Sequence, residues 1–272
     1  MSWLKIIRGE APLVLALPHT GTDLADVAHD FRSPALARRD ADWWVDRLYG
    51  FAHDLGATVV RTTISRSVVD VNRDPSGASL YPGQVTTELC PTATFDGEPL
   101  YPGAGPDEAE IIRRVDRWFV PYHAALAGEI ARLRVRHRRV VLYDAHSIRS
   151  HVPRLFDGEL PVFNIGTFGG VSCSPALSTA VQGICAGTGQ SHVLNGRFKG
   201  GWTTRNYGEP DKGVHAIQME LAMRGYLDEP DGPDALDEAH WPPVYDDARA
   251  AAMVAVLRDV LDCCIRFAES SG

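Results

Sequence analysis

Short apolar runs that end abruptly in a histidine are the feature that most narrows what this chain can fold into. Val140-Val141-Leu142 continues into Tyr143-Asp144-Ala145-His146-Ser147-Ile148, and near the N-terminus Leu13-Val14-Leu15-Ala16-Leu17 runs into Pro18-His19-Thr20-Gly21. Such runs read as strands buried on both faces, as in parallel sheets, and open α/β sheets collect functional groups just past the carboxyl ends of their strands. A third run, Val214-His215-Ala216-Ile217-Gln218-Met219-Glu220-Leu221, carries a glutamate inside a strand pattern. Further strands are expected at 57–64, 160–167 and 192–195. Between them the apolar spacing predicts helices: from about residue 33, interrupted near 38–40 and resuming at 42–51; over 107–137 with a break at Pro121; over 175–186; and over 246–268, with Val254, Leu257, Leu261 and Ile265 turned inward. A Pro- and Asp-rich connection spans about 228–244. Strands alternating with helices predict an α/β three-layer sandwich with a mixed, mostly parallel sheet. At 272 residues with no break in composition, one domain over 1–272 is expected.

A formal charge of −8 argues against nucleic acid or an anionic membrane as the main partner. No apolar run approaches the roughly 20 residues of a membrane span, and the first residues lack the pattern of a secretory signal. The five cysteines are odd in number and without zinc-ribbon spacing, which fits reduced thiols in a cytoplasmic protein.

Two histidines at two strand ends can converge on one metal. A catalytic zinc takes three His, Asp or Glu ligands and keeps one position open. His19 and His146 supply two; the third is Asp42, ahead of Asp46 one helical turn further from the strand ends, although Asp42 is also placed to cap its helix. Asp144, on the strand face of His146, suits a partner that orients a ligand histidine. Glu220 shares a strand face with Gln218. A carboxylate there needs a reason, since an unpaired buried charge costs several kcal/mol. Either it pairs with an arginine such as Arg205 or Arg224, or it carries a proton in catalysis. Arg66, Asn72, Arg73, Arg197 and Arg205 form a basic set suited to an acidic small substrate, because a guanidinium matches a carboxylate two-pronged. Thr203 joins that set from the Gly200-Gly201-Trp202-Thr203-Thr204 stretch, which lacks the lysine of a phosphate loop. The polar stretch 65–75 and the Pro-, Gly- and Thr-rich residues 75–106 suggest an irregular excursion covering a site.

At these residues the chain resembles the N-formylglutamate amidohydrolase family. The likeness runs through Pro18-His19-Thr20-Gly21, 42–49, 65–75, 96–101, 121–123, Asp144-Ala145-His146-Ser147, 163–167, 195–208 and 213–223. It implies a zinc-carboxypeptidase-like (phosphorylase/hydrolase-like) fold and hydrolysis of N-formyl-L-glutamate to formate and L-glutamate in histidine degradation. By the same analogy His19 and His146 are ligands of one zinc ion, Glu220 is the general base, and Arg66, Asn72 and Arg73 hold substrate carboxylates. The chain departs from the family pattern at Trp202 and Asn206, where tyrosine and histidine are usual. It also has Thr22 where the carboxypeptidase His-x-x-Glu spacing needs glutamate. The rival readings are deacylation of another N-acyl amino acid, a carboxypeptidase-like cleavage, and a non-catalytic binder of acidic amino acids.

Overall fold

Two nine-residue strands dominate the computed structural model, in which the described residues are 2–230, 236 and 240–270. They are β4 (Val140–Ile148) and β7 (Val214–Ala222), paired in parallel along their whole length so that His146 lies opposite Glu220. Every residue of β4 is buried. That burial explains why the sequence there is continuously apolar until its last turn toward the site, each fully buried Val or Leu contributing roughly 1.5–3 kcal/mol.

The other strands are β1 (Leu4–Ile7), β2 (Leu13–Leu17), β3 (Thr58–Thr62), β5 (Phe163–Gly166) and β6 (His192–Leu194). Among the described residues the sheet order is β1-β3-β2-β4-β7-β5-β6. β3, β2, β4 and β7 run parallel. β1 is antiparallel to β3, and β5 is antiparallel to β7 while parallel to β6. The architecture is thus a mixed, mostly parallel α/β sandwich.

One face is covered by α1 (Val45–Leu48), α4 (Pro175–Gly187) and α5 (Asp247–Glu269), which bury Leu48, Val181 and Leu257 against Leu15, Tyr143 and Met219. On the other face α3 (Val120–Arg134) packs Leu126 and Leu133 against Val14, Val60 and Leu142. α3 is preceded by α2 (Glu108–Arg114) and a π-helical turn, Val115–Phe119. The break expected at Pro121 takes this form because proline cannot donate to the preceding turn and its ring crowds the carbonyl four residues back.

The chain leaves β2 for β3 on one side and later returns to β4 on the other. The switch point of the sheet therefore lies between the carboxyl ends of β2 and β4, where open α/β sheets place ligands. Part of the 228–244 connection lies outside the described residues.

Candidate active site

Past the end of β2 the chain passes tightly beside β3. The Asp23 N–H bonds the Thr63 carbonyl at 2.9 Å, and a Cβ on Gly21 would stand 2.3 Å from the Ile64 carbonyl oxygen. Glycine is required by that approach. It leaves His19 buried at the sheet edge beside His146, with ring centroids 4.8 Å apart.

Asp42 enters from the following turn. Its N–H bonds the His19 carbonyl at 3.0 Å, and Trp44 takes left-handed backbone (φ 63°), so the helix expected over 42–51 begins only at Val45 and is four residues long. Trp44, not Asp42, holds the cap position. The Asp42 carboxylate instead faces both histidines, its Oδ2 lying 3.0 Å from His146 Nδ1 and 3.8 Å from His19 Nδ1. Candidate ligand atoms of the three residues lie within 4.8 Å of one another. Asp46, the alternative, points elsewhere and pairs with Arg61 at 2.5 Å.

Two more buried aspartates hold the far nitrogens. Asp70 Oδ1 is 2.6 Å from His19 Nε2, and Asp144 Oδ1 is 3.1 Å from His146 Nε2. Asp70 accepts the His19 Nε2 proton, which turns the Nδ1 lone pair of that ring toward Asp42, the orientation in which an outer carboxylate prepares a histidine for a metal; His146 presents its Nδ1 to the same carboxylate. Burial, reinforced by Arg66, lowers His19 to about 4 against the pull of Asp70, so this ring is neutral. Burial would lower His146 too, but Asp144 and Asp42 overcome it and hold the ring well above its ordinary value. The carboxylates that favour a proton on this ring equally favour a divalent cation at Nδ1.

The residues pass a test of fit for such an ion. His19 Nδ1 and Asp42 Oδ1 are buried without a hydrogen-bond partner. A buried polar atom left unpaired costs about 1–3 kcal/mol, and two imidazole nitrogens with a carboxylate oxygen are the donor set of an open zinc site.

Glu220 is 7% exposed beside this cluster. Among the described residues no ion pair accounts for it. Arg205 gives Nε to the Gly200 carbonyl (2.8 Å) and Nη1 to the Leu80 carbonyl (2.7 Å), while Arg224 pairs with Glu159 (3.2 Å). Burial lifts the Glu220 carboxyl to about 8, with His146 pulling down and Asp42 pushing up.

In front lies a cleft lined by His19, His146, Glu220, Arg66, Asn72, Arg73 and Arg197, and closed by Tyr81, Val85, Thr86, Thr87 and Phe95 from the irregular excursion. Arg66 pairs with Asp70 at 2.8 Å and lies over the Phe95 ring. Arg73 donates to Thr87, and Arg197 donates to the carbonyls of Leu155 and Val85. Two members of the expected substrate-binding set do not line the cleft. Thr203 is fully buried behind it with its N–H on Asn72, and Arg205 braces the excursion through Leu80 and the Tyr81 ring. Asp70, which holds His19, Arg66 and, at 3.6 Å, Arg73, was not singled out in the sequence. The one signal for it was the polar alternation of 65–75 between valines.

Residues 11–227 match the N-formylglutamate amidohydrolase family. The chain belongs to that family. It is 48% identical over 229 residues to an N-formylglutamate deformylase of Pseudomonas putida, covering 83% of this chain and 85% of that protein. It is 45% identical over 262 residues to an N-formylglutamate deformylase of Pseudomonas aeruginosa, covering 95% and 94%. Among solved structures, an N-formylglutamate amidohydrolase from Ralstonia eutropha superposes with a TM-score of 0.77 at 23% identity, over 99% of this chain and 98% of that one. A gene product of Agrobacterium tumefaciens superposes with a TM-score of 0.65 at 18% identity, over 98% and 96%. At these identities the two structures speak for the fold.

Proposed function

We propose that this protein is a zinc-dependent N-formylglutamate deformylase, hydrolysing N-formyl-L-glutamate to formate and L-glutamate in histidine degradation. The observation that carries the proposal is the convergence of His19 Nδ1, His146 Nδ1 and Asp42 Oδ2 beside Glu220, beneath a cleft lined by three arginines. Family membership and the names of the two Pseudomonas relatives point the same way.

When bound at these three residues, a divalent ion polarises a carbonyl and makes water nucleophilic near neutral pH. Glu220 carries the proton. Water adds to the formyl carbon, its proton passes to a Glu220 carboxylate oxygen, and the same group returns it to the glutamate nitrogen as the C–N bond breaks. A carboxyl that burial has lifted toward neutrality can do both. Arg66, Arg73 and Arg197 hold the two substrate carboxylates, and Tyr81 and Phe95 shield the reacting centre from bulk water.

The same reading takes the sandwich as zinc-carboxypeptidase-like, with ligands at the ends of β2 and β4. It takes residues 1–272 as one cytoplasmic domain, supported by the continuous sheet and five free cysteines. The test is formate release from N-formylglutamate by zinc-loaded protein, run beside N-acetylglutamate and N-formyl derivatives of apolar amino acids. Formate from N-formylglutamate above the others is expected. No formate from it, or a clear preference for another acyl group, overturns the assignment.

A further inference from the structure

Backbone N–H groups of Gly201, in the cleft wall, and Thr203, behind it, grip two side-chain amides. Gly201 N–H donates to Gln218 Oε1 and Thr203 N–H donates to Asn72 Oδ1, both at 2.7 Å. A side-chain amide has one accepting end and one donating end, so fixing its oxygen decides where its NH₂ points. The Asn72 nitrogen then lies 3.1 Å from Asp144 Oδ2 and 2.9 Å from His146 Nε2, and the Gln218 nitrogen lies 3.4 Å from Glu220 Oε2. The packing leaves no room for another arrangement. A Cβ on Gly201 would stand 2.5 Å from the Asn72 amide nitrogen and 2.6 Å from its oxygen, and Trp202 N–H bonds the Asn72 backbone carbonyl at 3.2 Å. Thr204 Oγ1 adds a long contact, 3.4 Å, to Asp144 Oδ2.

We infer that the 200–204 turn is the positioning element of the active site: through Asn72 it orients the Asp144–His146 pair, and through Gln218 it orients Glu220. This rests on the reading of His146 as a metal ligand. It makes Asn72 a positioning residue that acts through His146, where the family analogy has it holding a substrate carboxylate. One short turn thereby sets both halves of the chemistry, the ligand on β4 and the proton carrier on β7.

Three variants of the full-length protein test this, with zinc affinity measured against a competing chelator and with KM and kcat measured separately at saturating zinc. Asn72→Ala is expected to weaken zinc binding about 10- to 100-fold, the usual effect of losing a group that orients a ligand, and to leave KM unchanged. Gly201→Ala keeps every polar group but displaces the Asn72 amide, and should move zinc affinity in the same direction. It gives the answer should Asn72→Ala not fold. Gln218→Met should retain zinc and substrate affinity while kcat falls. Unchanged zinc affinity with a raised KM in Asn72→Ala would return Asn72 to the substrate and overturn the inference alone. A wild-type protein that binds no zinc would overturn the metal reading and this inference together.

Discussion

Replacing Glu220 with glutamine should move stability and catalysis in opposite directions. The side chain keeps its shape and its place on β7 but can no longer ionise or accept a proton. In the zinc-stripped wild type the carboxyl is raised from 4.5 to about 8, chiefly by burial. Below the lower value both folded and unfolded chains are protonated and the group has no effect on stability. As pH climbs between the two values the unfolded chain ionises while the folded chain does not, so stability is progressively lost, by about 3 kcal/mol at pH 7. Glutamine removes that loss. For a chain of this size the gain corresponds to a melting temperature higher by roughly 6–12 °C at pH 7, shrinking toward zero near pH 4. In the zinc-loaded variant kcat should fall by about 10² to 10⁴, the usual contribution of a positioned general base. Thermal melts of stripped protein at both pH values and single-turnover formate release by loaded protein give both readings from one preparation. A variant that melts lower than the wild type at pH 7 would refute the stability argument, because an ion-paired glutamate destabilises when neutralised. Wild-type turnover in folded, zinc-loaded Glu220→Gln would remove the proton-carrying role.

Asp42→Asn is expected to lose zinc on dialysis, whereas Asp46→Asn, which breaks only a part-exposed pair with Arg61, should retain it and change stability by less than about 1 kcal/mol; metal analysis showing the reverse order would transfer the ligand role to Asp46. Asp70→Asn leaves Arg66 and Arg73 without their buried carboxylate and should lower unfolding free energy by about 3–5 kcal/mol in denaturant titrations, together with weaker zinc binding. Stability within error of the wild type would show that the Asp70 pairs carry no load. N-formylglutamate should raise the melting temperature of zinc-loaded protein and leave stripped protein unmoved; equal shifts in both would separate substrate binding from the metal.

The central strands were legible because their burial on both faces leaves a continuous apolar run in sequence, and β2, β4 and β7 are where such runs predict them. β1 was not, since Leu4–Ile7 is an edge strand whose Ile6 and Ile7 are 37% and 49% exposed, and a half-wet four-residue strand carries no distinctive period. The helix expected from Asp42 failed because a backbone bond to His19, 23 residues earlier, outweighs local propensity. Asp42 therefore looked like a cap in sequence and is grouped with His19 and His146 in space. Asp70 was missed for the same reason. It lies 51 residues from His19, and nothing in its neighbours along the chain announces that partner. Sheet order is likewise a matter of long-range pairing, so the switch point between β2 and β4 emerges only once the strands are placed.

That placement also gives the site a charge logic. Asp42, Asp70 and Asp144 are buried together; Arg66 and Arg73 offset two of the three carboxylates, and the proton that Asp144 and Asp42 hold on His146 offsets the third while His19 is neutral. A cation at the Nδ1 atoms takes the place of the His146 proton, so metal binding by this cluster is coupled to proton release. Exchanging that proton for a divalent ion makes the cluster one charge more positive, and Arg197 at the cleft wall adds a second positive charge. Two is the number of carboxylates on N-formylglutamate. The dianion is thus better matched once the metal is in place; before that, the buried aspartates are only balanced by Arg66, Arg73 and His146. Binding order follows from the electrostatics of residues that the sheet brings to one edge.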